Sequence, residues 1–317
     1  MDTFMIMLKN VLIFVLLAVP GYLLVRGKLL SAKESGTLSK LLTNIGMPFL
    51  ILSSALKLEF TGELTKNIIV AGVLGVVFIL FMFFTTAFLC RDNNEKTRGM
   101  MRFCAIFANN GFIGIPLVSA VFGADSIVMA YVIILNILNN VLMFTLGVYL
   151  ASGDKKAINV KKALLNPVLL AFIAGVILNL AGVNKLLPEL QTYATHFSGI
   201  VTPLSMLVLG MKLAEVPMKK LLTSGKMYYI SGLRLVMYPA LAVGMLLLVN
   251  KIPFLQLGVD GVLAFFVAFS MPVAGLASAF ADHHNGDGEN AVILTLGTTV
   301  LSIATIPVLY WVLRLIV

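Results

Sequence analysis

The chain is a succession of long apolar runs separated by short polar or charged connections. Most runs approach the roughly 20 residues that an α-helix needs to cross the hydrocarbon core of a membrane. Since backbone groups in lipid must bond within their own segment, such runs predict membrane-spanning helices, ten in all. They lie near residues 4–25, 39–56, 67–90, 99–122, 126–150, 164–182, 196–213, 227–249, 258–281 and 289–316.

Composition supports an all-α membrane protein with the lipid bilayer as its surroundings. Hydrophobic residues make up 60% of the chain and charged residues 12%, with a mean hydropathy of +1.02. A soluble core cannot bury that much apolar surface. The net charge of +9 comes from Lys and Arg in short blocks between apolar runs, so it indicates membrane topology and no nucleic-acid partner.

The basic residues also indicate which way the chain is oriented. The connections after spans 1, 3, 5 and 7 carry four Lys or Arg each, sixteen in total, whereas the opposite side carries six. Cytoplasmic loops are the ones enriched in Lys and Arg. We therefore expect a multi-pass protein of the plasma (inner) membrane with both termini outside. The first run follows an acidic start and is as long as a full span, which favours an uncleaved first helix.

Three pairs of positions recur at nearly the same interval and predict an internal repeat. The pairs are Pro48 and Pro203 and Gly27 and Gly182, each 155 residues apart, and Pro116 and Pro272, 156 apart. Because five spans are an odd number, the second half must enter the membrane from the opposite side. The predicted organisation is a first five-helix repeat over 1–152, a cytoplasmic linker over 153–163 and a second, inverted repeat over 164–317.

Spans 4 and 9 both carry residues that break helices. The segment 109–116 holds two Asn, two Gly and a Pro, and the segment 270–279 is rich in small residues around Pro272 and Gly275. Proline lacks a backbone donor and glycine leaves helical geometry readily, so both helices should be interrupted. We predict that broken helices 4 and 9 cross near the membrane midplane.

Such a crossing suits an anion, because the N-terminal ends of half-helices present N–H groups and partial positive charge. The candidate substrate-binding residues there are Asn109, Asn110, Gly111, Pro116, Pro272 and Gly275. The alternative is that the prolines only kink two packed helices while the Asn side chains bond between helices.

Span 5 carries a stripe of amides, Asn136, Asn139 and Asn140, whose spacing of three and four places them on one helical face. Polar residues at membrane depth usually face a cavity or pair across helices. We take Asn136 and Asn140 as candidates for the pocket wall. Hydrogen bonding between helices explains the stripe equally well.

Arg234 is the one charge that lies clearly inside a span, eight residues after Lys226. Its long stem favours snorkelling to the inner surface or a structural ion pair. The alternative is that its guanidinium attracts the anion, so Arg234 joins the candidate substrate-binding residues.

Other chemistry finds little support in the sequence. Asp and Glu fall in connections or at predicted helix ends, so coupling through carboxylates at mid-membrane is poorly supported. The loop 282–289 holds two His and three acidic residues, but its glycines and position favour a solvated turn over a metal site. Cys90 and Cys104 show no metal or redox spacing and are expected to be buried thiols. No cofactor, metal or ATP-binding loop is predicted.

Asn109 seven positions before Pro116, the Gly-Ile-Pro run of span 4 and the Pro272 break resemble the auxin efflux carrier family. That family includes plant PIN-type exporters and bacterial carriers of malate- and malonate-like anions. The likeness covers nearly the whole chain in length and span number. The chain differs from the long plant members in lacking an extended hydrophilic loop between its halves.

The resemblance implies that Asn109 and the backbone around Pro116 and Pro272 hold the substrate carboxylate. It also implies a scaffold of spans 1, 2, 6 and 7 and a moving transport domain of spans 3–5 and 8–10. An elevator motion and a homodimer joined through helices 2 and 7 belong to the same expectation.

The leading hypothesis is a secondary transporter, not an enzyme, for small organic anions such as mono- or dicarboxylates. One alternative is a sodium- or proton-coupled symporter of the related bile-acid-symporter or antiporter-like crossed-helix type. A second is a membrane-embedded sensor or enzyme, which would need clustered His, Asp or Glu inside spans, or an attached soluble domain.

Overall fold

The structure, a computed structural model, describes residues 3–58, 61–158, 161, 164–214 and 218–317. Within these ranges the regular structure is helical, apart from an isolated antiparallel bridge between Ala108 and Val273. The expectation of an all-α chain is confirmed for this part of the protein.

We number the longer helices in chain order. They are α1 Thr3–Arg26, α2 Ser35–Lys57, α3 Gly62–Leu89, α4 Glu95–Ile106, α5 Asn110–Phe122, α6 Ile127–Ser152, α7 Pro167–Leu180, α8 Pro188–Leu213, α9 Gly225–Val249, α10 Gly258–Ser270, α11 Ala277–His283 and α12 Gly288–Leu313. Short helical segments lie at Ala32–Glu34, Lys155–Ala157, Val183–Leu186 and Met218–Thr223.

Among the described residues, six helices are long and apolar enough to cross a membrane: α2, α3, α6, α8, α9 and α12. Shorter apolar helices occupy Val15–Arg26, Asn110–Phe122, Pro167–Leu180 and Gly258–Ser270. Large apolar side chains such as Phe84 and Phe88 of α3 are 63% and 71% exposed, as residues that face lipid are. The predicted count of ten spans stays a prediction, because α5, α7 and α10 are each shorter than the roughly 20 residues that the bilayer needs.

Two of the predicted spans are each divided into two helices. The run 99–122 becomes α4 and α5, and the run 258–281 becomes α10 and α11. Each interruption is therefore observed in a span where helix-breaking residues predicted one. The first interruption, at residues 107–109, comes before the glycines and Pro116 rather than among them.

Three prolines follow a wider helical turn without ending the helix, whereas Pro20 and Pro307 lie inside regular α-helices. Three π-helical turns, Leu42–Gly46, Asn110–Gly114 and Leu233–Met237, each end two residues before a proline, namely Pro48, Pro116 and Pro239. A proline has no N–H for the carbonyl four residues earlier, and that carbonyl lies inside the π turn in all three cases. The wider turn relieves this loss, so Pro116 sits in a continuing helix.

The chain forms two compact units. Unit 1 comprises Met1–Ile68, Gly111–Ile133 and Leu165–Glu215, and unit 2 comprises Ile69–Asn110, Ile134–Leu164 and Val216–Val317. Predicted spans 1, 2, 6 and 7 fall in unit 1, and spans 3, 8, 9 and 10 in unit 2, as the expected scaffold and transport domain require. Spans 4 and 5 differ from that expectation, since residues 111–133 group with unit 1.

Unit 1 depends on close approach of helix backbones. A Cβ atom at Gly210 of α8 would overlap the Ala18 carbonyl oxygen of α1, and one at Gly21 would overlap the Leu207 carbonyl oxygen. Membrane helices use small residues in this way, because packing rather than water drives their association. Elsewhere in the unit, α7 is bonded to the end of α2. Asn179 Nδ2 of α7 donates to the carbonyl of Leu58, the residue after α2, at 2.9 Å.

In unit 2, a polar helix cap links α12 to α4. Asp287 caps α12 by accepting from the Asn290 backbone N–H at 3.1 Å, and it accepts from Thr97 Oγ1 of α4 at 2.5 Å. Partial burial raises the pKa of Asp287, but the bonds from Thr97 and Asn290 outweigh burial and hold the pKa below its ordinary value. The cap therefore ties α4 to α12 through an ionised carboxylate at neutral pH.

The close packing of α1 on α8 gives a test of unit 1. Gly210→Ala places a methyl group against backbone that cannot move aside, so we expect a loss of about 2 kcal/mol, as overpacking typically produces. Thermal unfolding of the purified protein in detergent measures it as a lower midpoint.

Gly244→Ala in α9 is the matched control, because a Cβ atom there meets open space. Its midpoint should stay the same or rise, since alanine favours the helix by up to about 1 kcal/mol over glycine. Equal midpoints for Gly210→Ala and Gly244→Ala would contradict the close contact.

Candidate functional site

The two interrupted spans of unit 2 are joined through their extended segments. The Asn109 N–H donates to the Pro272 carbonyl at 2.8 Å, and the Ala274 N–H donates to the Phe107 carbonyl at 2.9 Å. Ala108 lies opposite Val273 between these two bonds. We call residues 107–109 and 272–274 the bridge. It gives backbone groups released by the interruptions a partner in each other.

Side chains from two further helices fix the bridge in place. Asn139 of α6 accepts from the Ala108 N–H and donates to the Ala108 carbonyl, both at 3.3 Å. On the other strand, Thr298 of α12 accepts from the Val273 N–H at 3.1 Å. Asn139 is 3% exposed and Thr298 is fully buried, so all three bonds lie inside the unit and are protected from water.

Arg234 of α9 holds the helix ends that lead into the bridge. Its Nε donates to the Met271 carbonyl at 2.9 Å, and its Nη1 donates to the Ile106 carbonyl at 3.0 Å. Longer contacts of 3.4 and 3.5 Å reach the carbonyls of Ala105 and Ala268. These carbonyls end α4 and α10, where intrahelical donors run out and the helix dipole is negative. A guanidinium is well suited to this place.

The expectation that Arg234 snorkels to a surface is wrong, because its side chain is completely buried. Its guanidinium donates to carbonyl oxygens, so within the described residues the expected ion pair with a carboxylate is replaced by bonds to helix ends. A branched cation at the end of two helices reaches backbone acceptors from both, and this removes the need for a carboxylate partner.

The residues that pair in the bridge are separated by a different interval from the one used to predict the repeat. Ala108 lies opposite Val273, which is 165 residues later, whereas Pro116 and Pro272 are 156 apart. Pro272 forms part of the bridge, but Pro116 is the second residue of the regular helix Ile115–Phe122. These two prolines therefore occupy different places in the fold. The inverted repeat itself stays a prediction.

Two buried amides beside the bridge carry atoms without hydrogen-bond partners among the described residues: Asn110 Oδ1 and Asn136 Nδ2. Asn110 is 2% exposed and Asn136 is 1% exposed. Asn136 Oδ1 accepts from Asn140 Nδ2 at 3.4 Å, which directs the Asn136 nitrogen elsewhere. Buried polar atoms are nearly always paired, and an unpaired one costs about 1–3 kcal/mol, so both atoms call for a ligand or water.

The remaining predicted residues are distributed over both units. Asn109 is buried with its backbone in the bridge, and Gly275 is half-buried just after it. Asn140 is half-buried on α6. Gly111 and Pro116 belong to α5 and fall in unit 1. Hydrogen bonds thus bring Asn109, Pro272 and Arg234 together around the bridge.

Sequence reasoning missed Thr298 as a residue that supports the site. The signal was present, because Thr295, Thr298, Thr299 and Ser302 recur at helical spacing in an apolar span and are all buried. Asn139 was recognised as part of the amide stripe but was not singled out. Its partner is backbone, which a sequence pattern does not reveal.

The arrangement suits binding of an anion better than bond chemistry. Arg234 supplies a positive charge, and the buried Asn136 amide carries a donor without a partner among the described residues. The expected convergence of half-helix N-termini stays a prediction, and α11, one of those helices, has only seven residues. Within the described residues, no group of three His, Cys, Asp or Glu is placed to hold a metal ion.

Arg234→Gln tests whether the guanidinium holds the two helix ends. The substitution leaves several buried carbonyls unpaired, so we expect a loss of at least about 3 kcal/mol, as for breaking a buried charged network. The thermal midpoint in detergent should fall by many degrees, with Arg234→Lys intermediate.

Arg98→Gln is the matched control, because Arg98 makes an exposed pair with Glu95 at 3.2 Å. Its removal should change stability by no more than about 0.5 kcal/mol. If Arg234→Gln unfolds at the same temperature as Arg98→Gln, the guanidinium does not hold the helix ends.

Comparison with known proteins agrees with the resemblance drawn from Asn109, Pro116 and Pro272. The model of the family described as membrane transport protein matches residues 6–310. A protein named uncharacterized transporter, from Methanothermobacter thermautotrophicus strain Delta H, is 28% identical over 311 residues, with 94% of each chain covered. Together with the apolar helices, these matches identify a multi-pass membrane transporter, and the chain belongs to the membrane transport protein family, the auxin efflux carrier family.

Proposed function

We propose that this transporter is a secondary carrier of small organic anions, mono- or dicarboxylates, that bind beside the bridge. The observation that carries the proposal is the buried positive charge of Arg234 next to amide groups that have unpartnered atoms. A mobile carboxylate supplies the missing negative charge and also an acceptor for the unpartnered Asn136 Nδ2.

We propose that the anion is held both by the electrostatic field of Arg234 and by hydrogen bonds from amides and backbone. Arg234 Nε and Nη1 donate to helix-end carbonyls, so we assign its effect on the anion to its positive charge and not to a direct hydrogen bond. Inside a protein such a charge remains strong over several ångströms, because the surroundings screen it less than water does. Asn109, Asn110, Asn136 and Asn140 are the proposed neutral contacts, with the backbone near Pro272 and Gly275. Gly111 and Pro116 continue the same chain into α5.

Sodium coupling of the bile-acid-symporter type is less well supported. In carriers with broken helices, sodium is bound by unwound carbonyls and the C-terminal ends of half-helices. Here the guanidinium of Arg234 already bonds to such carbonyls at the ends of α4 and α10. We therefore propose transport that follows the anion gradient or the membrane potential.

The elevator-type motion that the resemblance implies is part of this proposal. The bridge, Arg234 and the amides of α6 all belong to unit 2, so one compact body would carry the anion. An unchanged distance between spin labels on the two units, measured with and without bound anion, would contradict the motion.

We also propose the homodimer through helices 2 and 7, which correspond to α2 and α8. The support is a polar stripe on α8, Thr192, Thr195, His196 and Gly199, which is exposed although α8 is long and apolar enough to span a membrane. Lipid does not solvate such side chains, whereas contacts between membrane helices favour small and polar residues.

His196→Cys tests the dimer, since the native Cys90 and Cys104 are buried and should give little background. Mild oxidation in membranes should produce a dimer band on a non-reducing gel. Ile177→Cys, on a 60% exposed apolar position of α7, is the control and should not cross-link. Monomers from both variants would argue against this interface.

The function itself is tested by uptake into proteoliposomes. We expect uptake of labelled malate, malonate or an aromatic carboxylate above that of empty vesicles, with no dependence on an imposed sodium gradient. Asn109→Ala should lower uptake by about tenfold, the loss expected when one good hydrogen bond to a charged ligand is removed. Arg98→Gln serves as the exposed control with wild-type uptake.

Each outcome of this assay is decisive for one part of the proposal. Failure to move any carboxylate under sodium, proton and potential gradients would refute the anion carrier. Normal uptake by Asn109→Ala would refute the placement of the site. Uptake that requires a sodium gradient would favour the symporter alternative.

A further inference from the structure

The two unpartnered atoms beside the bridge have opposite hydrogen-bonding character. Asn136 Nδ2 is a donor and Asn110 Oδ1 is an acceptor, and each belongs to a side chain that is buried by more than nine-tenths. Building on the proposed function, we propose that the site selects 2-hydroxy acids, in which a hydroxyl group lies next to the carboxylate.

Chain geometry anchors both amides near Ala108 of the bridge. Asn136 is one helical turn before Asn139, whose amide bonds to both backbone groups of Ala108. One turn of helix advances about 5.4 Å. Asn110 is two residues after Ala108, and the extended chain advances about 3.3 Å per residue. Both amides are therefore anchored near the same backbone unit of the bridge.

A plain carboxylate matches only half of this pair. Its oxygens accept from Asn136 Nδ2, but an ionised carboxylate has no hydrogen to offer Asn110 Oδ1. A hydroxyl on the neighbouring carbon donates to Asn110 Oδ1 while the carboxylate accepts from Asn136. Sites that hydrogen-bond a substrate hydroxyl discriminate strongly against analogues without it, because a buried group is then left unpaired.

The positive charge of Arg234 limits which hydrogen-bond donor a bound substrate can carry. Arg234 bonds to the carbonyls of Ile106 and Met271, the residues that immediately precede the two strands of the bridge. A positive charge there disfavours an ammonium group and favours the ionised form of any carboxyl group. A neutral hydroxyl is the donor that this field tolerates, so 2-hydroxy acids fit better than amino acids or protonated dicarboxylates.

The experiment compares anions that differ by one hydroxyl group. Proteoliposomes that contain the purified full chain are offered labelled malate against succinate, and labelled lactate against propionate. We expect the hydroxy acid of each pair to be taken up faster by about tenfold or more at low concentration. Alanine, which replaces the hydroxyl of lactate with an ammonium group, should be taken up poorly.

Variants assign the preference to Asn110. Asn110→Ala should bring the malate-to-succinate ratio close to one, and Asn110→Ser, which keeps an acceptor oxygen, should retain part of the preference. The ratio is measured within one preparation, so a smaller amount of folded protein does not change it. Asn44→Ala is the control with a wild-type ratio, because Asn44 is an exposed amide of α2 that bonds to the Lys40 carbonyl.

Equal uptake of both members of each pair by the wild type would overturn this inference and leave the anion carrier intact. Such a result would follow if the Asn110 amide presented its nitrogen instead of its oxygen. An unchanged ratio in Asn110→Ala, or alanine uptake that exceeds lactate uptake, would also overturn it. Absence of uptake for all five compounds would overturn the proposed function and this inference together.

Discussion

The constraint on which unit 2 depends is that an interrupted membrane helix releases backbone groups that lipid cannot satisfy. Interrupting two helices leaves twice as many backbone groups without helical partners. The two extended segments pair some of these groups by bonding to each other. Asn139 and Thr298 pair further groups of the bridge, and Arg234 pairs the carbonyls at the two helix ends. Each of these side chains is nearly or completely buried, so no water is needed for this part of the network.

This solution has an electrostatic consequence. Carbonyls at two helix C-termini converge on one guanidinium, and among the described residues no carboxylate pairs with it, so a full positive charge remains inside the unit. Partial negative charges of the helix ends offset it only in part. The same residue that stabilises the interrupted helices therefore raises the potential felt by an anion beside the bridge. Under the proposed function, stability and anion binding are linked through Arg234, which is why its loss is expected to affect both.

Much of this could be predicted from the sequence, and the exceptions share a cause. Apolar runs predict helices because lipid leaves little choice, and Pro272 and the residues around Asn109 predict interruptions because they disfavour helix locally. The register of the bridge, the partners of Arg234 and the role of Thr298 depend on which backbone atoms meet across the fold. No local sequence pattern specifies these contacts between residues that are distant in the chain. The inverted repeat, the outside termini and the dimer stay predictions.

The two strands of the bridge are supported in the same manner but not by the same chemistry. Asn139 supports the first strand with an amide, and its helix carries two more amides, whereas the second strand is supported by Thr298 in a helix of hydroxyl side chains. The buried hydroxyls of α12 mostly bond back to carbonyls of their own helix, as Thr295, Thr299 and Ser302 do. An amide has an acceptor oxygen as well as its donor nitrogen, so a bond back to a helix carbonyl leaves the oxygen unpaired. Within the described residues, Asn110 Oδ1 and Asn136 Nδ2 remain without partners and keep capacity for a ligand. Specificity is therefore expected to lie with the first strand and α6, while the second strand and α12 maintain the geometry.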